Sequence, residues 1–257
     1  KDLDALWRDF NISLKQGALK YLKYDPLKKE LIGIKPKVTK AEDPRKQTFY
    51  DKLPLSDISD VLRFINEQCE FLSAFTPLQP RYSKQKLDDD HLIATLISQG
   101  MNIGHYRMSQ ISDIPYHILE STYQQYLRLG ILRKANDIIA NSIMRLSIFP
   151  HYTFDDDVLY GALDGQKYEM FTPTSKARYS RKYYKKGRGV VAYTLLSNHV
   201  PVESEIIGPH EHESYFSFDI WYKNTSLIQP IVLTGDMHSV NKANFAILHW
   251  FGAELRP

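Results

Sequence analysis

The 257-residue sequence predicts a chain of the α+β or α/β class: an all-helical N-terminal region, then a partial mixed sheet with helices packed on it. Three observations carry this. Apolar residues recur at helical spacing before Pro150 and at strand spacing after it. Six of the 13 prolines fall in residues 26–80, whereas seven of the 12 glycines fall after residue 160. The elements after Pro150 run strand, hairpin, helix, strand, helix, start of strand.

Residues 1–54 read as a short helix and an irregular lead-in rich in Lys and Pro. Pro26, Pro36, Pro44 and Pro54 forbid one long helix there. From Ser56, a candidate cap, Ile58, Val61, Leu62, Ile65, Cys69 and Leu72 recur at helical spacing. Asp57 and Asp60 suit the first-turn dipole. A second helix runs from about Asp88 to Gln99 and stops at Gly100. Others are expected near 104–111, 114–129 and 131–148, with Gly130 dividing the last two. These helices make up a region 55–150.

Residues 151–257 form the sheet region. Asp157 to Leu163 reads as a strand ending in Asp164. Arg188–Leu196 and Val202–Ile207 read as a hairpin joined at Ser197-Asn198-His199. Glu211–Tyr222 reads as a helix. Pro230–Thr234 is a short buried strand leading to Gly235-Asp236. Ser239–Phe251 reads as a helix capped by Ser239 and closed by Gly252, with a further strand beginning at Ala253. This order is that of a ribonuclease-H-like fold.

Composition narrows the function. The sequence is 43% apolar and 25% charged, close to the globular average, which excludes wholesale disorder. The lone Cys69 excludes a disulfide framework and a cysteine-built zinc site. The opening KDLDALWRDF lacks the apolar core of a signal peptide, and no apolar run approaches the roughly 18 residues of a membrane span. The expectation is a cytoplasmic protein with no membrane partner.

The net charge of +3 hides a local field. From Asp164 to Val190 there are eight bases and two acids, and from Val191 onward three bases and seven acids. The dense part, KARYSRKYYKKGRG, holds Lys176, Arg178, Arg181, Lys182, Lys185, Lys186 and Arg188 with three tyrosines interleaved. Bases neutralise phosphates and aromatic faces stack on nucleobases, so these seven residues are a candidate DNA-binding set. A basic run elsewhere would read as a solvated loop; this one is contiguous with the strand that carries Asp164.

In a sheet of this order the first and fourth strands are neighbours, which would bring Asp164 and Asp236 together. Two carboxylates plus phosphate oxygens suit a hard cation such as Mg²⁺, with Mn²⁺ as a substitute. Two such ions roughly 3.5–4 Å apart support in-line phosphoryl transfer. Either aspartate alone would read as a turn or cap.

At ALDGQKY (162–168), ARYSRKYYKKGRGVVAYT (177–194) and LTGDMHSVNKANFAILHWFGAELRP (233–257) the sequence closely resembles replicative transposases of the Tn-three family. HLIATLISQGMNIGHYRMSQIS (91–112) is similar to the segment preceding the catalytic domain in that family. The resemblance covers about residue 55 onward. It implies a DDE-type, three-carboxylate site with Asp164 and Asp236 as the first two members and metal ligands. It also implies Mg²⁺-dependent nicking at inverted-repeat transposon ends and transfer of the 3′-hydroxyls to target DNA. Further implications are self-association of the parent transposase and a bacterial, nucleoid-associated setting on DNA. The third member would be a distal glutamate, so the 257 residues read as a piece of a longer enzyme, inactive alone. The rivals are a non-catalytic DNA-binding or assembly module of the same fold, and a ribonuclease-H-like nuclease without strand transfer.

Four other features have plainer readings. ISDIPYHILESTYQQYLRLGIL (111–132) has a helix-turn-helix outline but few bases, and reads as core-packing helices. His210 and His212 lack further zinc ligands at convincing spacing, and belong to a helix start. Asp88–Asp90 starts a helix, and Asp155–Asp157 lies in a loop. His238, Asn241 and Lys242, just past Asp236, lie where they could touch phosphate or cap a helix.

Overall fold

A computed structural model describes residues 2–33, 51–79, 87–153, 158–237 and 239–257. The chain divides into two compact units, Lys1–Leu55 and Ser56–Pro257.

The first unit holds helix α1 (Asp2–Lys15) and an antiparallel hairpin of β1 (Leu22–Asp25) and β2 (Glu30–Gly33). Asp25 Oδ1 accepts hydrogen bonds from the backbone of Leu27 (2.9 Å) and Lys28 (3.3 Å). This side-chain turn, with Lys29 at φ 54°, reverses the chain where the sequence suggests an irregular segment. Pro36 and Pro44 lie outside the described residues.

The second unit opens with α2 (Ile58–Cys69), a 3-10 turn (Phe71–Ala74), α3 (Asp89–Gly100), α4 (His105–Ile111), α5 (Tyr116–Tyr126) and α6 (Leu129–Met144). Asp88 caps α3 by accepting from Asp90 N at 2.9 Å, where the sequence places a helix start. Two expectations need correction. The N-cap of α2 is Asp57, not Ser56. Gly130 sits in the first turn of α6, and the break falls at Leu127-Arg128 instead. There Arg128 is extended, and its guanidinium donates to the carbonyls of Gln125 (2.6 Å) and Thr76 (2.7 Å), which locks the bend.

One core joins Phe71, Leu72, Phe75, Leu92, Ile93, Tyr126, Ile131 and Ala135. A buried polar contact also ties these helices. His105 lies 2.7 Å from Gln99 Nε2 and 2.9 Å from Glu120 Oε2, and an imidazole protonated at Nδ1 satisfies both.

Among the described residues the sheet region has six strands: β3 (Tyr160–Met170), β4 (Arg178–Tyr179), β5 (Arg188–Ser197), β6 (Val200–Ile207), β7 (Val232–Gly235) and β8 (Glu254–Leu255). β5 pairs antiparallel with β3, β4 and β6, while β7 runs parallel to both β3 and β8. The expected mixed sheet is therefore present. Asn198 and His199, at φ 46° and 66°, make the tight turn between β5 and β6. β3 does not end at Asp164: its ladder with β5 runs on to the pair Met170↔Arg188. The extra residues escape a hydrophobic reading because most of them are exposed.

Short helices complete the unit: α7 (Arg181–Tyr184), a 3-10 turn (Glu213–Tyr215), α8 (Ser217–Tyr222) and α9 (Lys242–Trp250). The helix expected over 211–222 is thus in two pieces. Asn244 Nδ2 donates to the Ser214 carbonyl at 2.7 Å, engaging an acceptor that a continuous helix would use. α9 is capped by Asn241, whose side chain accepts from Ala243 N (2.7 Å) and Asn244 N (3.1 Å), not by Ser239. Gly252, at φ 83°, closes it as expected. The main core gathers Leu163, Val191, Tyr193, Leu195, Val202, Ile207, Ile220, Leu233 and Leu248, with Ala140 of α6 among them. Among the described residues no helix is long and apolar enough to cross a membrane.

Candidate active site

Leu163 and Gly235 are register partners across the parallel β3–β7 pair. The next residues in sequence are Asp164 and Asp236, which therefore follow the last register pair on two adjacent strands. Both are exposed. Asp164 Oδ1 accepts from Gly165 N at 2.8 Å, and the carbonyl of Asp236 accepts from Ser239 N at 3.0 Å, closing a turn. Gly235 is needed in that turn, because a Cβ there would come within 2.7 Å of the Ser239 side chain.

Beneath the pair lies a buried polar cluster that periodicity alone does not reveal. Tyr193, opposite Gly165 on β5, is 0% exposed. Its hydroxyl sits 3.1 Å from Ser217 Oγ and 3.2 Å from Ser239 Oγ. Burial pushes its acidity constant up; the serine bonds oppose this, and the charges of Glu213 and Asp236 reinforce it. The buried Glu213 lies over Gly165, where any side chain would collide with its carboxylate, and faces Lys167 Nζ at 3.8 Å. The only sequence signal for Glu213 is its place in the run PHEHE.

Two exposed carboxylates at neighbouring register are hard oxygen donors. They fit a Mg²⁺ ion that keeps most of its ligands from water and phosphate. Among the described residues no group of three or more His, Cys, Asp or Glu is placed to hold a metal. Glu254 of β8 pairs with Arg256 at 2.7 Å. His212 Nδ1 lies 2.8 Å from Ser214 Oγ, at the start of a 3-10 turn. His238 and Asp155–Asp157 lie outside the described residues.

The basic segment links β3 to β5. Lys176, Arg178, Arg181, Lys182, Lys185, Lys186 and Arg188 are all exposed. Tyr184 anchors the segment: it is buried, its hydroxyl donates to the Val190 carbonyl at 2.9 Å, and its ring fills the space over Gly189. Lys185 takes the turn at φ 54°. The segment folds back along β3, so that Lys167 Nζ and Lys182 Nζ each lie 4.8 Å from the Tyr183 ring centre. Cationic and aromatic groups thus line the surface three residues past Asp164.

A family model described as "Tn3 transposase DDE domain" matches residues 60–257. The chain is similar to the "Transposase for transposon gamma-delta" of Escherichia coli (strain K12), 23% identical over 210 residues. That alignment covers 80% of this chain and 20% of the relative, so the chain spans about a fifth of its length. No solved structure matches. With a family match running through the carboxylate pair, the basic segment and the helices before them, the chain belongs to the Tn3-type DDE transposase family.

Proposed function

We propose that the chain forms part of a DNA transposase that nicks inverted-repeat transposon ends and joins the freed 3′-hydroxyls to target DNA. The register of Leu163 with Gly235 supports this reading, because Asp164 and Asp236 are the residues that follow these two partners. Asp164 and Asp236 hold Mg²⁺ or Mn²⁺. A bound divalent ion would activate the attacking oxygen and offset charge on the leaving oxygen. The aspartates orient that ion, and Lys176, Arg178, Arg181, Lys182, Lys185, Lys186 and Arg188 draw the phosphate backbone to the same face. The third carboxylate comes from outside these 257 residues. Region 55–150 serves as the scaffold or DNA-binding lead-in to the catalytic region 151–257, and residues 1–54 as a separate lead-in. DNA is the partner, the parent transposase self-associates, and the setting is the bacterial cytoplasm, on the nucleoid when DNA is bound.

One observation favours a second reading, a DNA-binding module that leaves the chemistry to other chains: no third carboxylate joins the pair among the described residues. The test is Asp164→Asn and Asp236→Asn in a transposase of the relative's length carrying this sequence. Both should abolish nicking and joining while end binding persists. Joining by the double variant would overturn the catalytic assignment. A pre-nicked end separates joining from cutting alone: a nuclease without strand transfer leaves it unjoined.

A further inference from the structure

We infer that Tyr193 is a positioning residue for Asp236, bracing the turn that holds this aspartate at its fixed spacing from Asp164. The inference rests on the reading of the two aspartates as the metal-holding pair.

A wholly buried phenol needs a hydrogen-bond partner. Tyr193 has two, and they come from different elements. Ser217 belongs to α8, and Ser239 follows β7 within the turn that starts at Asp236. Tyr193, Ser217 and Ser239 are each 0% exposed, so no water competes for these bonds. One hydroxyl can donate to the first serine and accept from the second.

Ser239 is the hinge of the arrangement. Its amide closes the turn on the Asp236 carbonyl at 3.0 Å. Its side chain faces Tyr193, and its carbonyl accepts from Asn244 Nδ2 at 3.2 Å. The same Asn244 amide reaches the Ser214 carbonyl at 2.7 Å, beside Glu213. The turn is therefore gripped from the sheet by Tyr193 and from α9 by Asn244.

The ring also sets a length. Tyr193 stands on β5 opposite Gly165, and its neighbour Thr194 stands opposite Asp164. A rigid phenol rooted beside Asp164 therefore reaches to the Asp236 turn. Tyr193 is closed off from solvent and acts through Ser239. This also explains why Ser239 does not cap α9.

The test uses the 257-residue chain with Mn²⁺ as the probe, titrated by electron paramagnetic resonance, with circular dichroism reporting the fold. Asp236→Asn should abolish specific Mn²⁺ binding. Tyr193→Phe and Ser239→Ala should each weaken it about tenfold, the usual effect of losing a group that orients a ligand. The double variant should be no worse than either single one, since both remove the same bond. In a transposase of the relative's length, Tyr193→Phe should raise the Mg²⁺ concentration for half-maximal joining and leave the rate at saturating Mg²⁺ nearly unchanged. Wild-type Mn²⁺ affinity in both Tyr193→Phe and Ser239→Ala, with binding lost in Asp236→Asn, overturns the positioning role alone. Unchanged binding in Asp236→Asn overturns the metal-site reading and this inference with it. If Tyr193→Phe fails to fold, Ser239→Ala decides.

Discussion

Arg133 Nε of α6 lies 3.1 Å from Glu203 Oε1 of β6, and the Glu203 side chain is only 5% exposed. The nitrogen is buried and off the line of an ideal hydrogen bond, so the contact is chiefly ionic. Arg133 Nη2 and Lys223 Nζ each lie 3.5 Å from Glu205, extending the pairing across the surface of β6. Arg133→Ala leaves the buried Glu203 carboxylate without its counter-charge, held by the Ser204 amide at 2.9 Å. Losing one partner of a buried pair usually costs more, but the arginine is a third exposed, so about 2–3 kcal/mol is expected in urea unfolding. An unchanged midpoint would show that water replaces the guanidinium.

Gly189→Ala should destabilise the basic segment. A Cβ there would strike both the Tyr168 carbonyl and the Tyr184 ring. Neither can retreat easily, because one is backbone in β3 and the other is a buried anchor. The expected loss is about 1–3 kcal/mol. Faster proteolysis between Lys176 and Arg188 would locate the damage, and wild-type stability would contradict the packing.

DNA affinity should fall steeply with salt, because phosphate neutralisation releases counterions. Replacing Arg181, Lys182, Lys185 and Lys186 with neutral residues should flatten the slope of log K against log salt by about 3–4 units, near 0.9 for each phosphate no longer neutralised. A slope equal to wild type would place the DNA elsewhere.

Acid stability should depend on Glu120. Its hydrogen bond to His105, followed by that from Gln124, holds its acidity constant below the usual carboxylate value. A depressed constant stabilises the fold above the unfolded value, about 4.3. That contribution fades as pH falls through the lower folded value. Glu120→Gln should therefore be less stable than wild type at pH 6, with the gap narrowing below about pH 4. A gap that does not change with pH would mean that the charge on Glu120 is irrelevant.

Much of this architecture is legible in the sequence. The Asn198-His199 turn, the Asp88 cap and the helix-then-sheet order all follow from local chemistry. Three of the misreadings share a cause, which is side chains acting across elements. Arg128 moves a helix break from Gly130 because it reaches Thr76. Asn244 divides one expected helix by engaging the Ser214 carbonyl. Ser239 yields its capping role to Asn241 because Tyr193 holds its hydroxyl. Strand order points to Asp164 and Asp236 as candidates, but not to Tyr193 or Glu213: Tyr193 comes to Gly165 through the β3–β5 register, and Glu213 through a 3-10 turn folded over Gly165.

Helix α6 places Ile131 and Ala135 in one core and Ala140 in the other, over about 14 Å of its length. Asn136 reaches the Pro201 carbonyl at 3.0 Å, and Asp137 accepts from Thr225 at 2.6 Å. A rod rooted at both ends leaves no seam along which heat could part the bundle from the sheet, so Ser56–Pro257 should melt as a single calorimetric peak.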